Sequence, residues 1–180
     1  MKIIKKFKLI IWDFDGVIKD SVLIKSNGFE KLFEPYGLKI VNKVKKHHKE
    51  NEGISRYVKI PLYLSWISKD MSKKNIKIFY NKYSEIVFDK VIKSPWVPGV
   101  KVFLEKNPYN QIFVLISATP ENELKKIISK LKINKCFKAI YGSPKIKLNQ
   151  IKKILKKFNI SSKDTLMIGD TISDYNAAKS

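Results

Sequence analysis

Apolar runs that end abruptly in polar or small residues constrain this chain most, and the first is the sharpest. Leu9-Ile10-Ile11-Trp12 shows no polar alternation, the pattern of a strand buried on both faces in a parallel sheet. It runs straight into Asp13-Phe14-Asp15-Gly16. Two carboxylates one residue apart at the exit of such a strand are costly unless a partner offsets their charge. The usual partners are a metal ion or a reaction that uses the charge. A calcium loop of the helix-loop-helix kind needs an oxygen ligand, a glycine and an acid where the chain has Val17, Ile18 and Ile24, so that reading is excluded. A tight turn closed by Asp15-Gly16 and a catalytic pair both remain open from this tract. A solvated acidic loop fits less well between such apolar flanks.

Three further tracts repeat the pattern. Ile112-Phe113-Val114-Leu115-Ile116 ends in Ser117-Ala118-Thr119-Pro120. Ala139-Ile140-Tyr141 is followed by Gly142-Ser143-Pro144-Lys145-Ile146-Lys147, and Thr165-Leu166-Met167-Ile168 by Gly169-Asp170-Thr171-Ile172-Ser173-Asp174. In an open parallel sheet the carboxyl ends of the strands share one edge, where ligands bind. Acids, a hydroxyl and an ammonium would then meet in one crevice. Helical spacing marks the connections. Leu124, Ile127, Ile128 and Leu131 follow Thr119-Pro120, read as a capping hydroxyl with proline at the first helical position. Leu148, Ile151, Ile154, Leu155 and Phe158 give the next apolar face, and Val100 to Glu105 begins another helix.

These four tracts, in this order, resemble the haloacid dehalogenase-like superfamily, in particular its phosphoglycolate-phosphatase-like branch. The resemblance covers nearly the whole chain. It implies an α/β fold: a doubly wound parallel sheet, from residues 1–18 and 93–180, with an inserted α-helical cap at 19–92. Within the cap, Val22, Phe29 and Phe33 suggest one helix, broken by Glu34-Pro35-Tyr36-Gly37. Tyr57, Ile60, Leu64 and Ile67 mark another, with Pro61 setting its first turn. Ile76, Phe79, Tyr80, Tyr83 and Val87 mark a third, and Ser94-Pro95-Trp96-Val97-Pro98-Gly99 returns the chain to the sheet with strong turn chemistry. Relatives continue past the fourth motif with another strand and usually a helix, whereas this sequence stops at Ser180. The expectation is that a C-terminal strand and helix are missing, leaving the fourth strand at the sheet edge.

The resemblance also implies a chemistry. Asp13 is the expected nucleophile, forming an aspartyl-phosphate, and Asp15 the general acid and base. An acid at this second position favours phosphoryl transfer over carbon–halogen cleavage. Mg²⁺ is the implied cofactor, held by the Asp13 side chain, the Asp15 main-chain carbonyl, Asp170 and, directly or through water, Asp174. Ser117 and the neighbouring Ala118 are expected to hold the phosphoryl oxygens. Lys147 is preferred over Lys145 as the phosphate-site lysine, because this branch often shows Gly-Ser-Pro, two residues, then Lys opening a helix. The expected function is a Mg²⁺-dependent phosphatase acting on a small phosphorylated metabolite, phosphoglycolate-like or sugar-phosphate-like. The alternatives are a phosphomutase of the β-phosphoglucomutase type and a truncated, non-catalytic domain that binds phosphate or a protein partner. Substrate identity and oligomeric state stay open.

Charge needs its own reading. The net charge is +21, from 37 Lys and Arg against 16 Asp and Glu. That balance fits nucleic acid or an anionic membrane surface, but Arg56 is the only arginine, so 36 of the 37 basic residues are lysine. Nucleic-acid readers draw heavily on arginine forks, so no specific nucleic-acid partner is expected. A sole arginine in so lysine-biased a chain marks a place for a planar fork, either on a substrate carboxylate or phosphate or on Glu50 or Glu52. His47-His48 fits either substrate contacts or, more commonly for paired histidines on a Lys-rich segment, a solvent-exposed pair. At 180 residues and 44% hydrophobic, the chain can bury one substantial core plus a small accessory domain. One cysteine, Cys136, excludes an internal disulfide framework. The apolar stretch before Asp13 is too short for a secretory signal and lacks a cleavage site. No run approaches the roughly 20 residues of a membrane helix. A cytoplasmic protein with no membrane partner is expected.

Overall fold

The computed structural model describes residues 3–179; positions 1, 2 and 180, the ends of the expected sheet domain, lie outside them. Strands β1 (Leu9–Trp12), β2 (Ile112–Pro120), β3 (Ala139–Ser143) and β4 (Thr165–Ile168) form one sheet in the order β3-β2-β1-β4. Every neighbouring pair is parallel, with Trp12 beside Leu115 on one side and Ile168 on the other. The sheet is therefore α/β and parallel, as the apolar runs imply. Alternation along β1 divides the core. Ile10 and Trp12 join the cluster that runs on through Phe113, Leu124 and Ile127 to Phe29 and Tyr63. Leu9 and Ile11 join the opposite cluster with Val114, Ile151 and Ala177.

Between β1 and β2 the chain inserts four helices: α1 (Val22–Phe33), α2 (Leu38–Glu50), α3 (Arg56–Ser65) and α4 (Lys73–Lys93). Helix α1 packs on α2 and α4, and α3 packs on α4. Three of the four follow the apolar spacing of the sequence; α2 was not expected, and it buries Val44 and His48 from an otherwise Lys-rich segment. Pro61 lies inside α3 and not in its first turn. The insertion leaves and returns through adjacent backbone. The Val97 N–H donates to the Ile18 carbonyl (3.1 Å) and the Asp20 N–H to the Pro95 carbonyl (2.9 Å). Lys19 is buried at this crossing, donating to the Ile92 carbonyl (3.1 Å) with its ammonium 4.7 Å from the Trp96 ring.

Helix α5 (Val100–Lys106) leads into β2, α6 (Glu121–Lys130) into β3, and α7 (Lys147–Phe158) into β4; α8 (Ile172–Lys179) follows β4. Strand β2 is longer than its apolar run, extending through Ser117 to Pro120. Among the described residues β4 is an edge strand, pairing with β1 alone, and all four of its residues are half-buried where those of β1 are buried. Among the described residues no helix is long and apolar enough to cross a membrane.

Candidate active site

The parallel sheet brings its carboxyl ends to one edge, and the charged tracts of the sequence meet there. Asp13 caps β1 and is buried, 5% exposed. Its Oδ1 accepts from the Phe14 N–H (2.7 Å) and its Oδ2 from Lys147 Nζ (2.8 Å). The same ammonium donates to Asp174 Oδ1 (2.5 Å), while Asp174 Oδ2 accepts from the Thr171 hydroxyl (2.6 Å). Lys147, the first residue of α7, thus bridges two buried acids from β1 and α8. Lys145 is exposed, 3.9 Å from Glu121.

Burial dominates the protonation of Asp13, pushing its pKa up to about 7; Lys147 opposes the rise, and Asp174 and Asp15 reinforce it. Burial also works against the Lys147 charge, but Asp13 and Asp174 outweigh it and hold that pKa above the ordinary lysine value. Asp174, desolvated but held by Lys147, sits below the ordinary carboxylate value. Asp170 is raised by burial and by Asp174.

Carboxylate oxygens of Asp13, Asp170 and Asp174 lie within 4.8 Å of one another. An all-oxygen donor set of this kind suits a hard divalent cation. The raised pKa values of Asp13 and Asp170 add a physical reason: a cation beside them would favour their ionised forms. Glycine at position 16 makes this approach feasible. Its φ is +77°, and a Cβ there would sit 2.0 Å from Asp170 Oδ2.

Asp15 faces a different set of partners. Its Oδ1 accepts from the Ser21 hydroxyl (2.6 Å); its Oδ2 lies 3.3 Å from Thr119 Oγ1 and 3.4 Å from Lys25 Nζ. Lys25 in turn donates to Thr119 Oγ1 (2.8 Å). Thr119 was expected to cap the helix after β2, yet α6 begins at Glu121 with no side-chain cap bond, and the Thr119 hydroxyl serves the site. Ser117 is buried at the end of β2, accepting from the Thr119 N–H (3.1 Å), and Ala118 lines the cleft beside it.

The facing wall comes from the insertion. Arg56 lines the cleft, but its fork is engaged within the protein. Its two terminal nitrogens meet Glu123 at 2.9 and 2.6 Å, one also donates to Ser84 (2.7 Å), and the guanidinium lies 4.4 Å from the Tyr83 ring centre. Its partner is neither Glu50 nor Glu52 but an acid on α6, so the pair ties α3 to the sheet domain. Burial alone would raise the Glu123 pKa; Arg56 outweighs it and holds the carboxyl below the ordinary value. His47 and His48 are not the exposed pair expected. His48 is buried, with Nδ1 2.9 Å from Lys59 Nζ and its ring against Phe29, and His47 meets the Tyr63 hydroxyl at 3.1 Å. Burial, then the charge of Lys59, pushes the His48 pKa down to about 3, leaving a neutral ring that accepts from Lys59. Gly53, with φ +80°, lets the loop before α3 approach the β4–α8 loop: a Cβ there would meet Thr171 Oγ1 at 2.7 Å.

Sequence reasoning passed over Lys25, Lys59 and Glu123, and read Thr119 as a helix cap only. A signal was available for the two lysines. Lys25 stands on the stripe of Phe29 and Phe33, and Lys59 on that of Ile60, Tyr63 and Leu64. A lysine in an apolar register has to meet something other than water.

The sheet edge, its four acids and its lysine have the arrangement of an open α/β enzyme site. The chain belongs to the haloacid dehalogenase-like hydrolase family, whose model matches residues 10–180. It is an enzyme of the hydrolase class, with phosphatases among its relatives. It is 23% identical over 177 residues to a phosphorylated carbohydrates phosphatase from Thermotoga maritima, covering 95% of this chain and 80% of that protein. The fold is similar to that of a predicted phosphoglycolate phosphatase from Haemophilus somnus, with a TM-score of 0.73, 19% identity, and 97% and 81% of the two chains covered. A candidate β-phosphoglucomutase from Thermotoga maritima is also similar, with a TM-score of 0.66, 18% identity, and 96% and 81% covered.

Proposed function

We propose that the protein is a Mg²⁺-dependent phosphatase that hydrolyses a small phosphorylated carbohydrate or related metabolite through an aspartyl-phosphate. The observation that carries this reading is the pairing of two carboxylates in unlike settings: Asp13, buried against Lys147, and Asp15, half-buried among two hydroxyls and Lys25. Such divergent environments are how two acids take different roles. In the proposed reaction an Asp13 oxygen attacks phosphorus and the bond to the leaving oxygen breaks. Asp15 gives its proton to that oxygen, then takes one from the water that attacks the acyl phosphate, releasing inorganic phosphate and restoring Asp13. Ser117 and the Ala118 main chain hold the phosphoryl oxygens, and Lys147 offsets negative charge beside Asp13. Asp13, the Asp15 carbonyl, Asp170 and Asp174 would hold Mg²⁺, which when bound supplies charge neutralisation for the phosphoryl oxygens.

In this reading residues 19–92 form a cap that excludes water and meets the leaving group, with Arg56 fixing it to α6 through Glu123 at the cleft wall. The relative named for phosphorylated carbohydrates supports the substrate class. The single cysteine suits a cytoplasmic setting.

Phosphate release from a panel of phosphorylated metabolites, with and without Mg²⁺ and beside Asp13→Asn, tests the proposal. Release that needs both Mg²⁺ and Asp13 is expected. A stably folded parent that releases nothing but converts a sugar phosphate through a trapped bisphosphate would instead make it a mutase.

A further inference from the structure

One buried cation in the cleft has no role in the chemistry above. Among the described residues, Lys147 of the cleft's sheet-edge wall pairs with Asp13 and Asp174, Lys25 has Asp15 within salt-bridge distance and Arg56 has Glu123. Lys59 is 1% exposed, and among the described residues no carboxylate oxygen lies within 4.0 Å of its ammonium. Its hydrogen-bonding partner is the neutral His48 ring at 2.9 Å, and the Phe29 ring centre is 5.8 Å away. A buried ammonium whose near contacts are a neutral acceptor and an aromatic face, with no acid close enough for an ion pair, is expensive to hold. Its pKa is accordingly pushed down to about 8 by burial, with Glu52, an acid of the same cleft beyond ion-pair distance, pulling the other way. A site that buries a cation, orients it on a histidine fixed against a ring, and turns it into a cleft lacks one component: an anion from outside.

We infer that Lys59, oriented by His48, receives a second anionic group on the leaving-group side of the substrate. The preferred substrate is then a phosphate monoester that also carries a carboxylate or a second phosphate. The inference rests on the phosphatase reading and narrows it, making Lys59 a specificity residue on the cap. Position favours it over a purely structural role. Lys59 shares its helix face with Ile60, Tyr63 and Leu64, where an apolar residue would pack at no electrostatic cost.

Two matched pairs of esters test it. Phosphoglycolate and 2-hydroxyethyl phosphate differ in a carboxylate; propane-1,3-diol bisphosphate and 3-hydroxypropyl phosphate differ in a second phosphate. The expected result is a kcat/KM at least about tenfold higher for the member of one pair that carries the second anionic group, and the pair that shows it identifies the anion. Lys59→Met is expected to collapse that ratio by about tenfold or more, and Lys59→Arg to retain part of it. A structural role would lower both members alike and leave the ratio unchanged, which overturns the inference. So does a parent enzyme that hydrolyses the esters with no preference in either pair, a result that needs no variant to fold and leaves the phosphatase reading intact. A folded parent inactive on all four esters and on p-nitrophenyl phosphate defeats the phosphatase reading and this inference with it.

Discussion

The two walls of the cleft handle charge in opposite ways. On the sheet-edge wall Lys147 lies between Asp13 and Asp174, and Asp15 meets Thr119 together with Ser21 and Lys25 from the start of the insertion. On the insertion wall Arg56 is matched by Glu123, but Lys59 donates to the neutral His48 with no acid at ion-pair distance among the described residues. The first wall holds Asp13 and Asp174 on one lysine before any substrate arrives, so these groups are already oriented for the moment when charge develops. The second leaves a positive charge to be met by a ligand. Reaction and selection are thereby separable: the sheet edge can keep one chemistry while the insertion decides what enters.

The largest effect should come from the sheet-edge wall. Asp13→Asn is expected to lower phosphate release at least about a thousandfold with the fold retained; circular dichroism beside the assay checks both. Lys147→Met should follow. It leaves two buried carboxylates facing each other, a loss of roughly 3–5 kcal/mol by comparison with other broken buried pairs, seen as a drop in Tm. If the wall works as a unit, the same change in an Asp13→Asn background costs measurably less. Next comes the latch between the walls. Glu123→Ala should strand Arg56, lower stability by about 2–3 kcal/mol, and expose residues 19–92 to limited proteolysis. A variant as protease-resistant as the parent would show that the insertion is held by its apolar contacts alone.

A change of pH tests the sheet-edge wall without any mutation. Asp13 has its pKa raised on folding from 3.8 to about 7, so the folded state holds a proton that the unfolded chain has released. The metal-free protein should therefore lose stability as pH rises from about 4 to about 7. Asp174, lowered on folding, works in the opposite sense at more acid pH, where falling pH removes its contribution. Thermal melts in chelator across this range should show the decline in the parent and a flatter profile in Asp13→Asn.

How much of this was legible in the sequence follows from the same contrast. The sheet announced itself because strands buried on both faces must be apolar throughout, as Leu9–Trp12 and Ile112–Ile116 are. Asp13 and Asp15, at the exit of the first run, stood out because such a setting does not tolerate unpaired charge. The insertion was read less well. Helix α2 hid because only Val44 and His48 are buried in it, too few to make a period. Lys25 and Lys59 hid among 36 lysines, where abundance masks register. Thr119 was misread because a hydroxyl before proline is good capping chemistry; local propensity gave way to the tertiary demand of Asp15. The Arg56–Glu123 pair joins residues 67 apart in sequence, a distance no local pattern reports.

The crossing where the insertion departs and comes back has a wider consequence. Ile18 and Val97 are joined by one backbone hydrogen bond, so the intervening segment begins and ends at almost the same point in space. From the sheet's standpoint the entire excursion is a single short bridge, whatever its length or shape. A different helical module with similarly close ends could be grafted at this junction without disturbing β1 or β2. The junction is thus a socket, through which a lineage of such enzymes could exchange appetites while inheriting one engine.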